Sequence, residues 1–218
     1  MQRRAFVAGA AALVGWPATA ALVPPEKGLL FAVRREGSRV GWHEVRVVEQ
    51  GARLLLAIDI AVDVRWGPVT LYRYRHSNRE EWRDGAFHGF SSRTDDDGTR
   101  HEVRARRERG DILVENGRGR SRAPSHALPS TYWCSRFVET DRWIDTQTGN
   151  VLAGRASRIG RERLDAAGRL IEAERWRVEG DLALDLWYRE GSWVGLAFEG
   201  PDGSALDYQL QEPGAGRA

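Results

Sequence analysis

Between Leu54 and Trp66 the chain alternates with a period of two. Leu54, Leu56, Ile58, Ile60, Val62, Val64 and Trp66 share one parity, while Leu55, Ala57, Asp59, Ala61, Asp63 and Arg65 share the other. Alternation sustained this long puts successive side chains on opposite faces of a strand and cannot come from an amphipathic helix. It predicts a strand with one dry face and one mostly wet face. Pro68 closes it, and a second strand spans 69–83, with Tyr72, Tyr74, His76, Asn78, Glu80 and Trp82 on one side. Further strands are expected at 87–95, 99–109, 150–163, 169–178, 183–189, 193–199 and 205–211.

Turn signals punctuate these runs at short intervals. Gly37-Ser38, Asp84-Gly85, Asp97-Gly98, Gly110-Asp111, Gly149-Asn150, Gly191-Ser192 and Asp202-Gly203 all lie between strand-like segments. Such pairs supply the positive φ angles of tight hairpin turns. A turn at Asp84-Gly85 sets Trp82 opposite Phe87 and Arg83 opposite Ala86. One at Asp97-Gly98 sets Asp95 opposite Arg100. Strands longer than ten residues joined by tight turns twist together. The expected fold is therefore mainly β: a strongly curved antiparallel meander, either half-barrel or barrel. Residues 124–143 break the pattern with two prolines and a cluster of aromatics, which predicts a loop leading into one short helix.

The first twenty residues read as an export signal rather than as part of the fold. Arg3-Arg4 precede an Ala- and Gly-rich apolar run, and Ala18-Thr19-Ala20 forms a small-x-small cleavage site. The paired arginines resemble a twin-arginine leader. Cleavage after Ala20 sends the mature chain to the periplasm. The organisation is then a leader at 1–20, one antiparallel β domain at 21–211 and a tail at 212–218. The chain carries 33 basic and 31 acidic residues, and the surplus pair is Arg3 and Arg4. A mature domain without net formal charge offers no general argument for nucleic acid or an anionic membrane as partner. No transmembrane segment is expected in it. Cys134, the only cysteine, has no partner for an internal disulfide.

The run YRYRHSNREEWRDG (72–85), the run SSRTDDDGTRHEVRARRE (91–108), and the segments GWHEVRV (41–47), LPSTYW (128–133) and IDTQTG (144–149) resemble a bacterial family known as a domain of unknown function. The resemblance covers essentially the whole mature chain. It implies a signal-bearing periplasmic β protein, distantly similar to the open half-barrels of lipoprotein carriers. It brings no activity, cofactor or catalytic residue with it.

Candidate chemistry is sparse. Asp95-Asp96-Asp97-Gly98 attracts attention as a cation loop, but adjacent carboxylates in a tight hairpin diverge, whereas calcium needs six or more converging oxygens. Turn formation explains them better, and no metal or cofactor is expected. Of the five histidines, His76 and His101 are the first suspects for a catalytic role, although Glu80 lies about 13 Å along the strand from His76. Cys134 is a nucleophile only if a helix N-terminus and a base depress its pKa. No nucleophile elbow, phosphate loop or dinucleotide fingerprint is present. Eight of the nine tryptophans lie beyond the leader, enough to fill a wide sheet or to line an apolar cavity. Trp42, Tyr72, Tyr74, His76, Trp82, Tyr132 and Trp133 are the candidate binding residues, with Tyr132-Trp133 as part of a lid. The leading expectation is a non-catalytic envelope protein that holds an apolar small molecule or a lipid-modified partner. The alternatives are an enzyme whose site assembles only in three dimensions and a scaffold that pairs through a sheet edge.

Overall fold

The computed structural model describes residues 22, 24–25 and 28–212. The leader at 1–20 and nearly all of the expected tail lie outside the described residues. Fifteen strands follow in order: β1 (Leu29–Arg35), β2 (Ser38–Gln50), β3 (Arg53–Trp66), β4 (Val69–Arg83), β5 (Ala86–Asp96), β6 (Thr99–Glu108), β7 (Asp111–Asn116), β8 (Gly119–Ala123), β9 (Leu128–Pro129), β10 (Arg142–Ile144), β11 (Val151–Ala166), β12 (Arg169–Gly180), β13 (Leu184–Arg189), β14 (Ser192–Glu199) and β15 (Ala205–Leu210). They form a single sheet in the order β8-β7-β6-β5-β4-β3-β2-β1-β15-β14-β13-β12-β11-β10-β9. Two meanders thus run outward from β1 and β15, which pair with each other at the centre.

The predicted alternation holds through most of β3. Leu54, Leu56, Ile58 and Val62 are buried, and Asp59 and Asp63 face the other way. There Asp59 meets Arg46 at 2.5 Å and Arg79 at 3.1 Å, and Asp63 meets Arg75 at 2.7 Å. Trp66 departs from the expectation, being 77% exposed. A bulge between Val64 and Arg65 shifts the register with β4, and the hairpin continues past anything that could cover it.

Trp82 does sit opposite Phe87, Arg83 opposite Ala86, and Asp95 opposite Arg100. Several turns begin one residue earlier than expected. Glu36-Gly37, Arg109-Gly110 and Glu190-Gly191 carry the positive φ angles, as Asp84-Gly85 and Asp97-Gly98 do. Two successive positive-φ residues define the type I′ turn, in which glycine takes the second central place. Reading glycine as the first residue displaced those turns by one.

The strongly curved half-barrel or barrel is corrected to one open meander. The sheet is neither closed nor strongly curled, with β8 and β9 as its two edges. The segment after β8 explains why closure is unnecessary, because it lies across the apolar face and supplies a second layer. It holds β9, a short 3-10 helix at Ser135–Glu139 and β10. No α-helix occurs among the described residues, so the helix expected there is a single 3-10 turn.

This covering segment reaches both wings of the sheet. Ser92 Oγ on β5 donates to Thr146 O at 2.5 Å, and Asn116 Nδ2 on β7 donates to Thr148 O at 2.8 Å. From the other wing, Tyr188 OH on β13 donates to Tyr132 O at 3.0 Å. Beneath it, Trp82, Phe87, Trp133, Phe137 and Trp143 are all buried. Trp82 meets Trp133 edge-on at 5.4 Å, and Phe137 stacks on Trp143 at 5.0 Å. Burying that much aromatic surface contributes the larger part of what holds this end together.

Candidate functional site

The other part of the same face is hollow. A cavity of about 930 Å³ lies between the sheet and residues 130–132 and 145–147 of the covering segment. Its floor is largely aliphatic: Ile58, Ile60, Val62 and Val64 from β3, and Leu184 and Leu196 from the opposite wing. The alternation of β3 is what presents that row, since every second side chain must point to one face.

Four candidate binding residues line the cavity: Tyr72, Tyr74, His76 and Tyr132. The other three do not. Trp82 and Trp133 are 1% exposed and belong to the aromatic core at the filled end. Trp42 occupies the face of β2 opposite to buried His43 and Val45. Trp82 and Trp133 therefore fill the core, and no tryptophan among the described residues lines the cavity. The tyrosines form its aromatic surface, with Tyr208 of β15 added to the three named above.

Two buried histidines face this space. His76 Nδ1 shares a hydrogen bond with Thr94 Oγ1 at 2.8 Å, and Thr146 Oγ1 lies 3.4 Å from Nε2. Burial lowers its pKa to about 4, against the opposing charges of Asp145 and Asp59. His43 is packed among Phe31, Trp193 and Tyr208. Burial, helped by His76, lowers its pKa to about 3, and its Nδ1 has no hydrogen-bond partner. Both imidazoles are neutral at pH 7. Sequence reasoning missed His43, although its parity with Val45 and Val47 was the available signal.

A latch joins sheet and cover at the mouth. Tyr72 OH donates to Asp96 Oδ1 at 2.7 Å, and Gln147 Nε2 donates to Asp96 Oδ2 at 3.0 Å. Tyr74 OH completes it with a 3.3 Å bond to Gln147 Oε1. Burial, then the bond to Asp96, pushes the Tyr72 phenol well above its ordinary range. The other mouth carboxylates are also committed to protein donors. Asp202 pairs with Arg35 at 2.6 Å, Asp145 accepts from Gln147 N at 3.0 Å, and Asp181 accepts from Ala153 N at 2.8 Å.

Glu80 is the second residue that sequence reasoning undervalued. It is 2% exposed, and the groups that hold it are all uncharged donors. Its carboxylate accepts from Asn78 Nδ2 at 2.9 Å, Trp82 Nε1 at 2.9 Å, Thr131 Oγ1 at 2.7 Å and Trp133 Nε1 at 3.4 Å. Burial raises its pKa, and those four donors oppose the rise. Thr131 and Trp133 belong to the covering segment, so Glu80 pins cover to sheet. Its placement on the same side as His76 and Trp82 was legible, but its complete burial was not.

The catalytic suspects stay apart. His101 on β6 faces Thr94 across the ladder and does not line the cavity. His76 has threonine hydroxyls on both sides and no carboxylate on Nδ1 to fix its tautomer, the third member that activated-nucleophile sites use. Cys134 is 5% exposed, and burial pushes its thiol up to about 12, the reverse of activation. In the acidic turn, Asp95 accepts from Gly98 N at 2.8 Å and lies 3.7 Å from Arg100. Among the described residues, no three metal-ligating side chains converge.

Residues 31–211 match the model of a family described as a domain of unknown function, DUF6134. A solved structure from Brucella abortus, described as a β-barrel-like protein of the domain of unknown function DUF1849, is similar in fold. Its TM-score is 0.61 at 10% sequence identity, covering 88% of this chain and 97% of that one. At that identity the likeness concerns the fold alone. No curated protein matches the chain.

Proposed function

The chain belongs to the DUF6134 family, and from that premise we propose that it is a non-catalytic binding protein of the cell envelope that holds an apolar ligand. An acyl chain, free or attached to a partner, suits the space. The observation behind this reading is the hollow itself. Its volume of about 930 Å³ stands at the upper end of the range for small-molecule sites, roughly 300–1,000 Å³. Its floor is aliphatic, and the polar groups at its mouth are already bonded to one another. Such a surface gains little from polar ligands and much from hydrocarbon, at roughly 25 cal/mol per Å² buried.

The catalytic alternative has less behind it. His76 is neutral and lies between two threonine hydroxyls, but no carboxylate orients it and its low pKa makes it a weak base. The edge-pairing alternative meets two blunted edges. Exposed Arg118, Arg120 and Arg122 surround β8, and β9 is two residues long and ends in Pro129.

The test is solvent extraction of the purified mature protein followed by mass spectrometry, together with titration of an environment-sensitive apolar dye. The dye should bind and be displaced by a long-chain fatty acid. Ile60→Trp, which fills the floor, should weaken dye binding about ten-fold or more at little cost in stability. A protein that carries no lipid and leaves the dye dark, or an Ile60→Trp variant that binds dye as well as the parent, would sink the proposal.

A further inference from the structure

The tip of the β3–β4 hairpin is unlike the others. Residues Arg65 to Leu71 are exposed without interruption, and they read RWGPVTL with Arg65 as the sole charge. Trp66 is 77% exposed, Leu71 59% and Val69 52%. Trp66 and Val69 face each other across the last rung, and Gly67 turns the chain at φ +58°. Glu36, Asp84, Asp97, Arg109 and Glu190 place a charge in the turns of five other hairpins, and the uncharged Gly51-Ala52 and Ala167-Gly168 turns hold only small residues. Here an indole, a proline and two aliphatic side chains stand in water instead.

Its position is as informative as its composition. Leu71 also lines the cavity, as do Val64 and Tyr72 at the base of the same hairpin. Arg35 and the β14–β15 turn at Gly200, Pro201 and Asp202 complete that end of the cavity. The apolar tip therefore projects from the rim of an apolar chamber.

We infer that this tip is a bilayer-insertion element, which seats the cavity mouth against a lipid surface so that ligand passes between membrane and protein. The inference rests on the cavity reading above. The size of the patch argues for a lipid surface over a protein. One aromatic contributes at most about 150–250 Å², so the whole tip offers a few hundred, whereas a stable protein interface needs about 800 Å² per partner. A wedge of this size is enough to reach headgroup depth, where tryptophan is the favoured residue. Asp63, the acid nearest the tip on β3, is held by Arg73 and Arg75, so no free carboxylate on this hairpin opposes approach.

The test uses the mature protein with vesicles of phosphatidylcholine alone and of phosphatidylcholine with phosphatidylglycerol, in flotation at low and high salt. Binding should occur on both and survive high salt, because one arginine contributes little electrostatic attraction. Trp66→Ala should weaken it about ten-fold without changing thermal stability, since the side chain packs against little. Brominated phosphatidylcholine should quench the parent's fluorescence and leave that of Trp66→Ala unaffected. Equal vesicle binding by parent and variant would overturn the inference. So would absence of binding, or binding confined to phosphatidylglycerol and abolished by salt, which would assign attachment to the arginine-bearing outer face. Dye binding in free solution, which Trp66→Ala should leave intact, separates a failure of the tip from a failure of the cavity.

Discussion

Acidification from about pH 7.5 to about pH 5 should cost this domain roughly 4 kcal/mol of folding stability through His43 and His76. Burial holds their pKa values at about 3 and about 4 in the folded state. In the unfolded chain both titrate near the ordinary value of about 6.5. The unfolded chain therefore binds protons first as pH falls. The stability contributed by the neutral imidazoles is complete above about pH 6.5 and drains away toward pH 4 for His76 and pH 3 for His43. At pH 5 each site has lost about 1.5 pH units of protection, or roughly 2 kcal/mol. Against a total of roughly 5–15 kcal/mol for an ordinary domain, that loss is large. Glu80 acts in the opposite sense. Its raised pKa lets the folded state take up a proton first, which offsets part of the histidine loss. Urea unfolding followed by tryptophan fluorescence reads the whole effect. His43→Phe fits a site ringed by aromatics, and His76→Gln keeps a polar group beside Thr94. The double variant should flatten the profile between about pH 7.5 and about pH 5, leaving the Glu80 contribution. If parent and double variant lose stability in parallel over that range, the imidazoles are not buried neutral and the reasoning fails.

Two further outcomes follow from other buried groups. Glu80→Leu strands the donors of Asn78, Trp82, Thr131 and Trp133. It should destabilise by about 3 kcal/mol or more, with Glu80→Gln intermediate, measured as the midpoint shift in urea. Protease cleavage within 124–143 should accelerate in the same variants, because the pin between cover and sheet is lost. Cys134, with its thiol pushed up to about 12 by burial, should react with a disulfide reagent about a hundred-fold more slowly in the native protein than after unfolding in urea. Native reaction at the unfolded rate would restore it as a candidate nucleophile.

Local chemistry determined the long strands and the register of their hairpins. The alternation from Leu54 to Val64, the Asp84-Gly85 and Asp97-Gly98 turns, and the resulting Trp82–Phe87 and Asp95–Arg100 partners all follow from forces acting within a few residues. A dipeptide that favours two positive φ angles sets the register of its own hairpin wherever it occurs. That the region 124–143 departs from the long-strand pattern was also visible, since prolines are confined to the edges and ends of a ladder, where Pro129 sits. What lies over a face is a different kind of quantity. Thr131 reaches Glu80 across 51 positions, and Thr146 reaches Ser92 across 54. No periodicity encodes such contacts, because alternation states only which side of the sheet a residue occupies. Hence Trp42, Trp82 and Trp133 looked equivalent to Tyr72 and Tyr74, while packing put the first outside, the next two in a filled core and the tyrosines at a hollow. The same rule decided that the sheet stays open. The covering segment buries the aromatic end, so curling the sheet on itself would remove no further apolar surface from water there, and the part that the segment spans without filling is the cavity.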